Sequence, residues 1–355
     1  MQRDERNRAD ALERRVFACW RTRASMAGLC AGVMVFLLGA GAAIPLSLNA
    51  AWLSALGAVP LCALAAWAAR RRMGARLTRL RALLLALTLV SGAIFAIASL
   101  VSLVEQSLLP QARTLWSMLA AFAGATLCAL CGGAALARLC FLVRYALPVC
   151  VIALCAAALG LPRAAGPWPL LGSGADRLFL SLICMGASAL PALLLLLPPP
   201  EIEAVGEAAQ RFPVPGWRFF ALRMALGAAC GALLVFAVCV CSGYESLAAQ
   251  DTWGDRLRIL SSVQPREGTA QTLLTSLQAI AITLLAGCLL SGAEQALTAS
   301  WPGLEKWRGG LVISSVWALL ALLVLVVFGF GAALVCAPLT CLPVAVLLMG
   351  KGKRT

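Results

Sequence analysis

The sequence predicts an all-α polytopic membrane protein of about ten transmembrane helices, and three observations carry that prediction. Of 355 residues, 62% are hydrophobic and 12% charged, with a mean hydropathy of +0.91. A soluble chain of this size needs far more charge to cover its surface. Apolar windows of about 20 residues, enough to cross a hydrocarbon core of roughly 30 Å, recur along the chain. Lys and Arg, finally, concentrate in alternate connecting segments.

The windows lie near 24–46, 50–69, 82–104, 115–136, 139–161, 178–198, 218–241, 272–292, 311–329 and 331–349. The last two abut and read either as a bent hairpin or as one overlong span. Ten spans place both termini on one side. With the N-terminus inside, the segments 1–23, 70–81, 138–144, 211–223, 306–308 and 351–354 hold 23 of the 29 Lys and Arg residues. That asymmetry is the positive-inside pattern and makes both termini cytoplasmic. It divides the chain into a basic cytoplasmic segment 1–23, one transmembrane domain 24–350 and a basic tail 351–355. Because the cations are scattered over six segments, the net charge of +14 reflects a lipid bilayer as partner and no nucleic acid.

The first apolar run is too long for a signal h-region, and its basic leader also contains Asp4, Glu5, Asp10 and Glu13, so it reads as a retained span. Leu12, Val16 and Trp20 in the leader suit a short interfacial helix or an ordinary frayed tail.

Most of the fifteen cysteines fall inside the windows, where they act as small apolar residues. Cys128 and Cys131 have C-x-x-C spacing, but the chain has no histidine and no adjacent second pair, so no metal or cofactor site is expected. The absence of histidine also removes the usual general base, and no Walker loop occurs, so the chain reads as no enzyme. Gly28/Gly32 and Gly227/Gly231 form two G-x-x-x-G matches that let neighbouring helices approach. Glu105 and Glu294 are the acidic residues nearest membrane depth, each at the end of a window. They read as hydrated interfacial groups or as candidates for proton coupling. Arg144 falls within the fifth window and can snorkel from it.

The first window ends in LLGAGAAIP, 37–45. Gly39 and Gly41 are poor helix formers and Pro45 donates no backbone hydrogen bond. The sixth has a milder counterpart in CMGASALP, 184–191. Breaks at these places, five spans apart, are what a five-plus-five inverted repeat with broken first and sixth helices requires, and half-helix ends of this kind hold ligands and ions. Two unrelated Gly/Pro kinks fit the same residues.

The chain resembles the spore-germination permeases, the B subunits of germinant receptors, within the amino acid–polyamine–organocation superfamily. The resemblance lies in GAGAAIP followed by NAAWLSALGAVPLCALAAW at 49–67, in SLLPQARTLW at 107–116, in GGAALARLCFLVRYALPV at 132–149 and in PWPLLGSGADRLFLSL after it. Beyond about residue 200 it is one of hydropathy and spacing. The chain departs from the family at Asn49-Ala50-Ala51, where an acidic residue is often expected before the loop Trp, and at Gln111-Ala112-Arg113, which replaces a Thr-Pro pair.

The resemblance implies a permease-like subunit that senses a small nutrient, an amino acid, in the inner spore membrane beside germinant-receptor A and C subunits. It implies a ligand site at the backbone of Gly39, Ala40, Gly41 and Ala42, faced by Gly186, Ala187 and Ser188. Ser91, Ser99 and Thr283 are the hydroxyls nearest that depth, or are bonded to their own helices. A working amino-acid transporter is the sister expectation. An anchor or signalling module without a small-molecule site is the alternative of another class, and it expects an intact helix through 37–45 and no meeting of the first and sixth spans.

Overall fold

The computed structural model describes residues 21, 23–47, 50–70, 79–107, 113–159, 174–195, 217–242 and 267–328. Most of each of the first nine apolar windows lies on a helix, although 115–136 runs across the end of one helix into the next. Helix α1 runs over 23–47 as α-helix, a π-helical segment Met34–Gly39 and α-helix again over Ala40–Ser47. It is followed by α2 (Ala51–Arg70), α3 (Arg79–Ser107), α4 (Thr114–Leu130), α5 (Gly133–Leu159), α6 (Ala175–Leu194), α7 (Trp217–Ser242) and α8 (Glu267–Ser300). A 3-10 turn, Pro302–Trp307, leads into α9 (Gly309–Phe328). The tenth window, the leader and the tail lie outside the described residues.

Among the described residues four helical stretches are long and apolar enough to cross a membrane: Ala82–Glu105, Arg218–Val240, Thr275–Thr298 and Gly309–Val327. Three shorter apolar stretches, Arg23–Phe36, Ala51–Trp67 and Thr114–Leu130, accompany them. The expected ten spans are therefore not matched one for one. The π-helical segment interrupts α1, and α4 has 17 residues, about 26 Å at 1.5 Å per residue. Arg138 and Arg144 lie in α5, and Asp176 and Arg177 in α6. What stands is an all-helical architecture of the multi-pass membrane type.

Contacts between helices give their directions. Gly28 and Gly32 on α1 meet Arg223 and Gly227 on α7 in the same order, so these two run parallel. Gly57 meets Leu182 and Leu61 meets Gly186, so α2 and α6 are also parallel. Gly124 and Cys128 on α4 meet Thr283 and Gly287 on α8, a third parallel pair. By contrast, α1 meets α6 at Gly39–Ser188 and again at Ser47–Ser181, and so runs antiparallel to it. These directions agree with helices that alternate along the chain.

The helices fall into two groups. In one, α1, α2, α6 and α7 pack on one another; in the other, α3 and α4 pack on α8 and α9. Helix α5 touches both through α7 and α8. Helix α3 is central, with 72% of its apolar stretch buried, and α9 is peripheral at 28%. Its outward Val312, Val316, Leu320 and Val327 form the apolar surface that a bilayer covers and water would not.

Short links fix the second group. Helix α4 ends at Leu130, earlier than the window predicts, because Gly132 takes φ of +82° and its N–H bonds back to the Ala129 carbonyl at 3.3 Å. Glycine reaches that left-handed geometry at little cost. Arg308 then donates to the Leu130 carbonyl at 2.8 Å, placing a cation on the negative end of α4.

The breaks expected at 37–45 and 184–191 are not seen. In α1 the distortion is a π-helical turn displaced toward the N-terminus, in which the Ala40 N–H donates to the Val35 carbonyl, five residues back. Helix α6 continues through Gly186 and Pro191 to Leu194. A proline removes one donor, whereas an unwound segment in an apolar setting exposes several backbone groups, each costing several kcal/mol. Pro60 in α2 and Pro148 in α5 are carried in the same way.

The glycine crossing generates the first prediction. A Cβ at Gly32 would lie 2.7 Å from the Gly227 carbonyl oxygen, and one at Gly231 would lie 2.5 Å from that of Gly32. Backbone cannot swing aside as a side chain does. Gly227→Leu is therefore expected to lower stability by about 1–3 kcal/mol, read as thermal unfolding in detergent. Gly124→Ala, whose Cβ would make an ordinary 3.4 Å contact with Thr283, is expected to change it by less than about 0.5 kcal/mol.

Candidate functional site

The π-helical turn of α1 lies where that helix crosses α6. A π turn widens the helix and weakens its ladder, and such turns recur at functional positions. Gly39 closes the segment. A Cβ there would come 2.5 Å from Met185 Sδ and 2.7 Å from Ser188 Oγ, so a larger residue would require those two side chains to move. The Ser188 hydroxyl donates to the Met185 carbonyl at 2.7 Å, and Ala40 and Met185 are fully buried. Gly39 and Ser188, two of the candidate residues, are thus brought together. The meeting occurs without a broken helix.

Other candidate residues are placed differently. Gly186 faces Leu61 of α2, whose Cδ1 would lie 2.7 Å from a Cβ there. Gly41, Ala42 and Ala187 lie within helices, but their surroundings are outside the described residues. Three hydroxyls are bonded to their own helices: Ser91 to the Leu87 carbonyl at 2.9 Å, Ser99 to that of Phe95 at 3.0 Å and Thr283 to that of Ala279 at 2.7 Å. Their single protons are committed, which leaves only lone pairs for a ligand.

Glu105 ends the apolar stretch of α3. Its Oε1 is buried and has no hydrogen-bond partner among the described residues, which departs from the simple picture of a hydrated interfacial carboxylate. Glu294 is half-buried on α8, and its carbonyl accepts from Thr298 at 3.0 Å. Its backbone packs on Gly310 of α9, with its Cα 3.3 Å from a Cβ there.

A second polar constellation escaped the sequence reading. Ser47 at the end of α1, Ser54 in the first turn of α2 and Ser181 in α6 are 0%, 1% and 0% exposed. Ser47 and Ser181 are 2.9 Å apart, and Ser181 donates to Ser54 at 2.8 Å. Ser54 reaches the Leu178 carbonyl at 3.5 Å and Ser47 reaches that of Ala43 at 3.1 Å. Serine is common and has no helical periodicity of its own, so no pattern in the sequence marks these three.

The cysteines also meet across helices. Cys140 on α5 and Cys288 on α8 have their sulfurs 3.7 Å apart. A Cβ at Gly287 would touch Cys128 Cβ at 2.7 Å. These thiols fill small gaps where helices approach closely, and among the described residues no group of three metal-binding side chains is arranged around an ion.

No known protein-family model matches the chain, and no curated protein matches it in sequence.

The two classes of hydroxyl predict different costs of deletion. Ser91→Ala or Ser99→Ala removes a bond within one helix and is expected to change stability by less than about 0.5 kcal/mol. Ser181→Ala removes the hydroxyl that links α6 to α1 and α2 and is expected to cost about 1 kcal/mol. Parallel thermal melts of the three variants check this.

Proposed function

We propose that the chain is a permease-like membrane subunit that senses a small nutrient of the amino-acid class. In this reading it is built like the germinant-receptor B subunits it resembles, with ten spans in a five-plus-five arrangement and both termini in the cytoplasm. The observation that carries the proposal is the meeting of the α1 π turn with α6 at Gly39, Met185 and Ser188. These two helices stand five spans apart.

The wider packing supports the same arrangement. Contact of α1 with α7 has its counterpart in contact of α2 with α6, and contact of α3 with α9 in contact of α4 with α8. Exchanging each helix for the one five later turns each pair into the other, which is the signature a repeat leaves. The nutrient then inserts beside Gly39, taking backbone groups of 39–42 and the face of α6 around Gly186, Ala187 and Ser188. Glu105, whose Oε1 is buried without a hydrogen-bond partner among the described residues, and Glu294 are the candidates for a coupled proton. The inner spore membrane and the germinant-receptor A and C subunits are the location and partners this reading carries.

A second reading, an anchor or signalling module without a small-molecule site, is favoured by the continuity of α1 through 37–45. Binding decides between them. With the purified chain in nanodiscs and a panel of radiolabelled amino acids, the sensing reading expects saturable binding. Gly39→Leu is expected to abolish it, and Ser188→Ala to weaken it by about tenfold. Wild-type affinity in both variants rejects the site, and no binding by the wild type favours the anchor. Sensing, as distinct from transport, further expects no flux into liposomes.

A further inference from the structure

We propose that the paired ends of α1 and α7 that carry Arg21, Arg23, Arg218 and Arg223 bind the head group of an anionic phospholipid, with its acyl chain along the outward face of α7. The register of the two helices brings the arginines together. Gly28 meets Arg223 and Gly32 meets Gly227, and the same register sets Arg23 level with Arg218, with Arg21 just beyond them. From deeper in the membrane the Arg223 guanidinium reaches back, donating to the Ser25 hydroxyl at 2.6 Å and lying 4.7 Å from the centre of the Phe219 ring. Ser25 donates in turn to the Arg21 carbonyl at 2.9 Å. Arg23 donates to the side-chain oxygen of Gln295 on α8. These acceptors are neutral, so the bonds orient the two guanidinium groups and do not cancel their charge.

Charge and the surface below it decide what such a patch takes. A guanidinium presents a planar fork that matches two oxygens of a phosphate, so clustered arginines at a membrane surface favour a phosphate anion. The described acidic residues at this end, Glu294 and Glu305, belong to α8 and the turn before α9, and the Glu294 backbone packs on Gly310. A separate observation distinguishes a lipid from a free anion. Arg218 is exposed, and it shares a helical face with Leu222, Leu226 and Leu233 farther along α7, all of them exposed. A cationic end continued by an apolar strip complements an amphipathic anion, with the phosphate diester on the arginines and the acyl chain on the leucines. Inorganic phosphate has no part that would use the leucines. Because Arg23 also holds Gln295, the lipid would fasten the first helical group to α8 of the second. The site needs only that this end of the bundle meets a leaflet, and it does not depend on the nutrient reading.

The test uses the full chain purified in detergent and stripped of lipid. Native mass spectrometry counts the lipids retained during titration with phosphatidylglycerol or with phosphatidylcholine of the same acyl chains. The expected result is saturable retention of phosphatidylglycerol at concentrations about tenfold below those phosphatidylcholine requires. Arg21→Gln combined with Arg218→Gln is expected to abolish that difference, and Arg218→Gln alone to reduce it should the pair fail to fold in a thermal melt. Arg79→Gln combined with Arg138→Gln removes the same charge from exposed positions in the first turns of α3 and α5, and is expected to keep the difference. Glycerophosphate, the head group without chains, is expected not to displace the lipid at equal concentration. Equal retention of the two lipids by the wild type, an undiminished preference in the folded Arg218 variants, or equal losses in the two double variants would overturn the site. Displacement by glycerophosphate would overturn the lipid as its occupant.

Discussion

The crossing of α1 and α7 at Gly28, Gly32, Gly227 and Gly231 is the constraint on which the first helical group depends. Each glycine stands where the partner's backbone already occupies the space of a Cβ. Helices so close gain dispersion contacts along their length, which matters in a membrane because lipid tails compete equally for apolar side chains. The crossing also sets the height of everything beyond it on α1. Held at that register, the next turns bring the π segment to α6 and the last turn to Ser181. A glycine interface near one end thus positions both polar constellations farther along the helix.

The second group is organised differently. Large side chains of α3 meet glycines on α8, as Leu89 meets Gly292, and small ones face each other between α4 and α8, as Gly287 faces Cys128. Its rigidity also comes from the links at the ends. Gly132 turns α4 into α5 within two residues, and Arg308 ties the turn before α9 to the end of α4. Neither device is available to α1 and α6, which are distant in sequence and meet through packing at Gly39 and the Ser47–Ser181 hydrogen bond.

The helices were largely legible in the sequence because a membrane reduces the problem to hydropathy and charge. Most of each of the first nine windows falls on a helix, though only four helical stretches among the described residues are long and apolar enough to span, and the two glycine motifs serve close approach as their spacing implies. What the sequence does not carry is the partner: nothing in Gly28 or Gly227 says that the two motifs face each other. The breaks at 37–45 and 184–191 were misread for an energetic reason. Gly and Pro propensities describe helices in water, where an unwound turn finds solvent. In an apolar surrounding the remaining backbone bonds are worth more, so α1 shifts to a π turn at Met34–Gly39 and α6 stays helical. Depth in the membrane does not reveal whether a serine bonds to its own helix, as Ser91 and Ser99 do.

That distinction separates the inert hydroxyls from the informative ones. A Ser or Thr bonded to the carbonyl of its own preceding turn has one proton for one acceptor and asks nothing of its neighbours. Ser188, packed against the π turn, belongs to this class, and what it contributes there is a close contact with Gly39. Ser47, Ser54 and Ser181 are bonded across three helices, so a change at one is felt by the other two. Hydrogen bonds of this kind, enclosed among buried residues, fix the height at which α1, α2 and α6 meet. The glycine crossing is what places the junction there.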